Sequence, residues 1–192
     1  MTPDRDLIQI VDAAMAEAVR IGGPWIACRP GCTQCCIDPF PITMLDAARL
    51  RSGLDQLESV EPDRAAAVRR RAQEYLARLA GYPGDPRTGV LAEGAEAGEQ
   101  FAALAEGEAC PALDPVAGTC DLYASRPLTC RVFGPAVRMR GDALGVCELC
   151  FEGASDEQIA ECAVDVDPDN LEAELLAGDR RQTIVAFALR DR

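Results

Sequence analysis

The sequence predicts a mainly α-helical protein with small β-hairpins, folded as one compact, metal-stapled domain over residues 1–192. Three observations predict it. Apolar residues recur at three- and four-residue steps through several long stretches, which is the period of a half-buried helix. Strand-like runs are short and bracketed by Gly, Pro and Asp. Ten cysteines occur without a single histidine in 192 residues, a density that asks for a covalent or metal tie.

Residues 5–21 read as a helix, with Leu7, Val11, Ala14, Met15 and Ala18 on one face and Gly22-Gly23-Pro24 as its stop. A cysteine-rich loop follows, CRPGCTQCCIDPFPIT, from residue 28 to 43. Thr43 is placed to cap a helix, with Asp46 at the capping-box position, running to about Ser52. Pro62 opens another helix, striped by Val68, Ala72, Tyr75, Leu76 and Leu79 and ended by Gly81. Residues 81–100 are rich in Gly, Pro and acids and are expected to be an internal flexible loop.

From residue 109 the pattern changes to two short strands, ACPAL and CDLY, joined by a turn at Asp114-Pro115 and Gly118. This hairpin would bring Cys110 and Cys120 together. Ser125, Arg126 and Pro127 lead into a short helix carrying Cys130. A second hairpin is expected around Gly141-Asp142. Ser155 with Gln158 forms a capping box for one late helix, and Asp169 is placed to cap another that carries Leu171, Leu175 and Leu176. TIVAFAL near the C-terminus fits a strand or a buried helical turn equally well.

Composition narrows the function classes. The net charge is −13, opposite to the basic face of a nucleic-acid binder and unsuited to anionic membrane surfaces. Arg69-Arg70-Arg71 sits among acids and reads as a solvated helix face. The N-terminus has acids where a signal peptide carries bases, and no stretch approaches the ~20 apolar residues of a membrane span. A cytoplasmic protein is expected, where clustered cysteines are metal ligands or redox groups rather than disulfides. The core is thin: 32 residues are alanine and nine are Phe, Tyr or Trp, so a metal would add stability that burial alone supplies weakly.

The cysteine spacing points to metal. Thiolates are soft ligands chosen by zinc, copper(I) and iron–sulfur clusters. Cys28, Cys32 and Cys35 supply three on one loop, Cys147-x2-Cys150 supplies a two-thiol turn, and Cys110, Cys120 and Cys130 supply more. One tetrahedral site takes four thiols, so ten exceed a single zinc and fit two sites or a polynuclear cluster. Adjacent Cys35 and Cys36 would point apart on an extended backbone and could serve two metals, or one could be a buried bystander. Cys162, in an amphipathic stretch with Ile159 and Val166, reads as a small core residue. Arg29, Arg126, Arg131 and Arg138 lie beside thiols in the sequence. They would either offset thiolate charge or pair with surface acids. Without histidine the usual Cys–His nucleophile is impossible. The loop is not the cluster loop of radical-SAM enzymes, because Gln34 stands where an aromatic residue precedes the last cysteine there, and no βα repeat follows.

CRPGCTQCC followed by ACPALDPVAGTCDLYASRPLTCRVFG resembles the bacterial family of zinc- or iron-chelating proteins named for its CxxCxxCC cluster. The resemblance covers roughly 28–45 and 109–134. It implies metal chelation by Cys28, Cys32, Cys35, Cys36, Cys110, Cys120 and Cys130, with Cys147 and Cys150 matching less closely and Cys162 least. The first spacing here has three intervening residues, not two. The cluster is also similar to one in flagellin lysine N-methylases, although no Gly-rich strand-to-helix turn for a methyl donor is present.

The expected function is therefore a metal-binding protein with an all-cysteine iron–sulfur cluster, 4Fe-4S or polynuclear, in a redox or metal-handling role with a protein partner. Two alternatives stand beside it. One is a zinc-stapled protein-interaction module, and the other a metal-dependent, methylase-like protein-modifying enzyme.

Overall fold

The computed structural model describes residues 3–104, 107–139 and 143–191. In chain order its elements are α1 (Pro3–Gly22), a 3₁₀ turn (Gly23–Trp25), a second 3₁₀ turn (Gln34–Cys36), β1 (Ile42–Thr43), α2 (Met44–Val60), α3 (Pro62–Arg78) and α4 (Ala95–Ala102). There follow β2 (Leu113–Asp114), β3 (Thr119–Cys120), a third 3₁₀ turn (Tyr123–Ser125), α5 (Leu128–Arg131), β4 (Val137–Met139) and β5 (Ala143–Gly145). The chain closes with α6 (Asp156–Glu161), β6 (Val164–Asp165), α7 (Leu171–Leu176), β7 (Gln182–Thr183) and α8 (Val185–Leu189). The protein is mainly α with small β elements, as the periodicity predicts.

The elements gather into two compact units. Unit one is Met1–Arg29 with Leu128–Asp179; unit two is Pro30–Pro127 with Arg180–Arg192.

In unit one, α1 buries Leu7, Val11, Met15, Ala18 and Gly22, one residue per turn along a single stripe. That stripe packs with Leu128 and Val132 around α5, with Val137 of β4, and with Val166. The small sheet pairs β4 antiparallel to β5, with Arg138 opposite Leu144, and parallel to β6, with Val137 opposite Val164. The expected second hairpin is thus present, while its turn at Gly141-Asp142 lies outside the described residues. The Ser155–Gln158 capping box opens α6 in both directions. Asp169, the expected cap of α7, does not fill that role. Asn170 enters the helix in the left-handed conformation (φ 56°), and the Asp167 carboxylate accepts the Leu171 and Glu172 N–H groups at 2.8 and 3.0 Å.

In unit two, the Asp46 N–H donates to Thr43 Oγ1 at 3.1 Å, and α2 runs to Val60 rather than stopping near Ser52. Gly53 does not end it. A β-carbon there would lie 2.2 Å from Ser125 Oγ, so the missing side chain lets the 3₁₀ turn approach the helix backbone. α2, α3 and α8 pack together around Ile42, Leu50, Leu54, Val68, Ala72 and Leu189. TIVAFAL takes both forms left open by its pattern: β7 pairs with β1, Thr183 opposite Ile42, and α8 follows as a buried helical turn. Residues in the Gly- and Pro-rich stretch are hydrogen-bonded to one another and to β7. Asp85 N–H donates to Val90 O, Ala92 N–H to Pro83 O and Leu91 N–H to Gln182 O, at 2.8–2.9 Å, and α4 begins within it. Among the described residues no helix is long and apolar enough to cross a membrane.

Candidate metal centre

All ten cysteines lie among the described residues, and none forms a disulfide. The unit boundary at Arg29–Pro30 cuts through the cysteine loop. Cys32, Cys35, Cys36, Cys110 and Cys120 belong to unit two; Cys28, Cys130, Cys147, Cys150 and Cys162 belong to unit one.

Unit two assembles its thiols from two distant segments. Residues 36–38 run antiparallel to 108–110: Cys110 N–H donates to Cys36 O at 2.7 Å, Asp38 N–H donates to Glu108 O at 3.0 Å, and Ile37 bridges Ala109. The β2–β3 hairpin then sets Leu113 opposite Cys120. Its turn is closed by the Asp114 carboxylate, which accepts the Val116 and Ala117 N–H groups, and by Gly118 at φ 65°. A β-carbon on Gly118 would lie 3.5 Å from the Gly31 Cα, so the tip of the hairpin meets the loop that carries Cys32. Cys110 and Cys120 both pack against the main core of the unit.

The vicinal pair does not splay apart as expected. Its backbone forms a 3₁₀ turn rather than an extended strand, and the two side chains come within hydrogen-bonding reach. The Cys36 thiol donates to Cys35, which with the Cys35 backbone N–H and the nearby Arg126 guanidinium brings Cys35 down to about 6. Cys36 is driven strongly upward, first by donating that proton, then by burial and by the charges of Cys35, Cys110 and Cys120. Burial pushes Cys110 up to about 12, opposed by N–H groups of Ala112 and Leu113. Burial also raises Cys120, opposed by the Leu122 N–H and Arg126. The charges of the four sulfurs act on one another, and only Cys35 is lowered on balance, since burial prevails at Cys110 and Cys120.

The framework around these thiols is pinned. Asp121, whose side chain is 1% exposed, is gripped by Arg64 and Arg71 of α3, and Arg71 also donates to Pro111 O at 2.9 Å. One helix thereby holds both strands of the hairpin beside Cys110 and Cys120. Arg71 departs from the solvated face expected of Arg69-Arg70-Arg71, whereas Arg69 pairs with Glu58 and Arg70 lies 4.0 Å from Glu74. Arg126 stacks on the Tyr123 ring, 3.9 Å from its centroid, and acts on Cys35 and Cys120.

The unit-one thiols are differently placed. Cys147 and Cys150 are 7% and 5% exposed, within a cluster containing Ala136 and Phe151, against which Trp25, Ile159 and Cys162 pack. Cys28 is exposed, and Cys130 lies on α5 between Leu128 and Val132. Helical geometry turns Cys130 away from the core-facing side of those neighbours. Arg131 pairs with Asp12 at 2.7 Å, Arg138 donates to Ala160 O and Ala163 O, and Arg29 is exposed.

The donor set fits a soft metal: it is all sulfur, it has no histidine, and the Arg126 guanidinium acts on Cys35 and Cys120. The sulfurs are gathered but not closed. Among the described residues no three Cys, Asp or Glu side chains converge on one point as a single ion requires. Metal entry therefore has to displace thiol protons, the shared Cys36 proton among them, and turn the sulfurs inward. The cavity beside Cys110, lined by Asp38, Phe40, Tyr75 and Ile184, measures about 10 Å³, room for roughly one water.

The family model described as "CxxCxxCC: Putative zinc- or iron-chelating domain" matches residues 27–148. That span includes every cysteine named above except Cys150 and Cys162. No curated protein and no solved structure matched the chain.

Proposed function

The chain belongs to the CxxCxxCC family, and from that premise we propose that unit two holds an all-cysteine iron–sulfur centre in a redox or metal-handling role. Cys35, Cys36, Cys110 and Cys120 would be its ligands, with Cys32 a further thiol on the same loop. The observation that carries this reading is the backbone pairing of residues 36–38 with 108–110, continued by the β2–β3 hairpin, which brings the segments of Cys35, Cys36, Cys110 and Cys120 together. Hydrogen bonds to sulfur help set the potential of such centres. When bound, the cluster supplies one-electron chemistry. The chain's part is to gather four thiolates, offset their charge with Arg126, and hold the hairpin rigid through Arg64 and Arg71. A cytoplasmic setting would keep the thiols reduced, and an electron-exchanging protein is the partner this role calls for.

A zinc staple is the second reading, favoured by the packing of Cys110 and Cys120 directly against the core. Anaerobic purification separates the two. Iron with acid-labile sulfide, and a visible absorption band lost in Cys110→Ser, is the expected result. Zinc without iron in the anaerobic protein would replace the cluster with the staple.

A further inference from the structure

We propose that unit one carries a second metal site, for which Cys147, Cys150 and Cys162, with Cys28 as the fourth thiol, turn inward onto one ion from positions that do not yet converge. Two of these residues lie beyond the span matched by the family model. The site does not rest on the iron–sulfur reading of unit two, since zinc there leaves it untouched.

Four observations converge. Cys147 and Cys150 flank a tight turn in which Cys150 N–H donates to Cys147 O at 2.9 Å, the Cys-x2-Cys arrangement that presents two thiols to one ion. Both are buried, and Cys162 packs on the same cluster. A lone buried cysteine is an ordinary small core residue; three sharing one cluster are not accounted for that way.

Gly134 brings in the fourth thiol. A β-carbon on Gly134 would lie 2.5 Å from Cys28 Sγ, so that sulfur occupies the space a side chain would fill. The same residue's carbonyl accepts the Cys147 N–H at 3.0 Å, so Cys28 rests on the backbone that positions Cys147. Gly134 sits at φ 119°, a conformation open to glycine and strained for other residues.

Arg138 completes the setting. Its guanidinium donates to Ala160 O at 3.0 Å and Ala163 O at 3.1 Å, the carbonyls on either side of Cys162. A positive charge is thus fixed on the backbone that flanks Cys162. Four thiolates on a divalent ion carry a net negative charge, and Arg138 offsets part of it. Each thiol gives its proton to solvent as the ion binds.

The test uses cobalt(II) added to the reduced, metal-free full-length chain, read by cobalt–thiolate absorption and by the fluorescence of Trp25, the single tryptophan. Trp25 stacks on Phe151 at 6.3 Å within this cluster. In Cys110→Ser/Cys120→Ser, cobalt should retain about half of the thiolate absorption, that of one four-thiolate site out of two, and should quench Trp25. In Cys147→Ser/Cys150→Ser the quenching should be lost. Cys162→Ser, a gentler change, should weaken cobalt binding to unit one at least tenfold while circular dichroism stays that of wild type. Loss of all cobalt absorption in Cys110→Ser/Cys120→Ser, with its circular dichroism unchanged, would overturn the second site. So would Trp25 quenching that survives in Cys147→Ser/Cys150→Ser, or an unchanged affinity in Cys162→Ser.

Discussion

Each unit carries five cysteines, set in contrasting surroundings. In unit two the thiols are half-buried on a 3₁₀ turn and paired backbone, near Asp121 with its two arginines and near Arg126. In unit one Cys147 and Cys150 are buried among Phe151, Trp25 and Ile159, and the nearby charge is Arg138, bonded to carbonyls. In unit two only Cys35 is lowered, by Cys36 above all, while Cys36, Cys110 and Cys120 are raised. The contrast is one of polarity around the sulfurs, and a metal entering unit two has to displace the protons of its raised thiols.

The largest effect expected is from removing metal. A strong chelator under reducing conditions should lower stability by several kcal/mol, as for metal-dependent folds. The loss should fall mainly on the transition of unit two, where the thiols flank the main core. Thermal unfolding with and without chelator checks it, and equal losses in Cys110→Ser/Cys120→Ser and wild type would contradict it. Next is Leu189→Ala, at a fully buried position of α8. It should cost about 2–5 kcal/mol, measured by denaturant unfolding, and leave Trp25 fluorescence in unit one largely unchanged.

Asp121→Asn removes a buried carboxylate between Arg64 and Arg71. Because both arginines are partly exposed, the expected loss is about 1–3 kcal/mol. It should come with weaker metal binding in unit two alone, and unchanged metal affinity would show that the clamp does not position the hairpin. Gly134→Ala should cost about 1–2 kcal/mol through its backbone strain and should impair cobalt binding in unit one but not unit two. The smallest is Ser155→Ala, which removes the cap of α6 at about 1 kcal/mol and reads out as fraying near Cys162 by hydrogen exchange.

Much of this was legible in the residues because it is local. The stripe of α1, the Thr43 and Ser155 caps and the β2–β3 turn are each decided within a few positions. The Asp167 cap was missed because it depends on Asn170 adopting a left-handed conformation. The close packing of Gly53 on Ser125 and the Arg71 grip on Asp121 join residues fifty or more positions apart, and nothing in either local sequence announces them. The same holds for the site. Spacing singled out the cysteines, and the expected hairpin forms with Leu113, not Cys110, opposite Cys120. The allotment of Cys28 to one unit and Cys32 to the other follows from a break at Arg29–Pro30. Cys162, read as a small core residue from its amphipathic stretch, packs against the buried cluster of Cys147, Cys150 and Phe151.

Both units are discontinuous in sequence: unit one is interrupted by residues 30–127, and unit two closes with Arg180–Arg192. During synthesis neither core can be completed early. Val185, Ala188 and Leu189 seal the main core of unit two from the last stretch of the chain, after every cysteine has been made. A nascent chain therefore presents all ten thiols before unit two can shelter its own. Whatever shelters those thiols in the interval has to act on a chain whose unit-two core is still open.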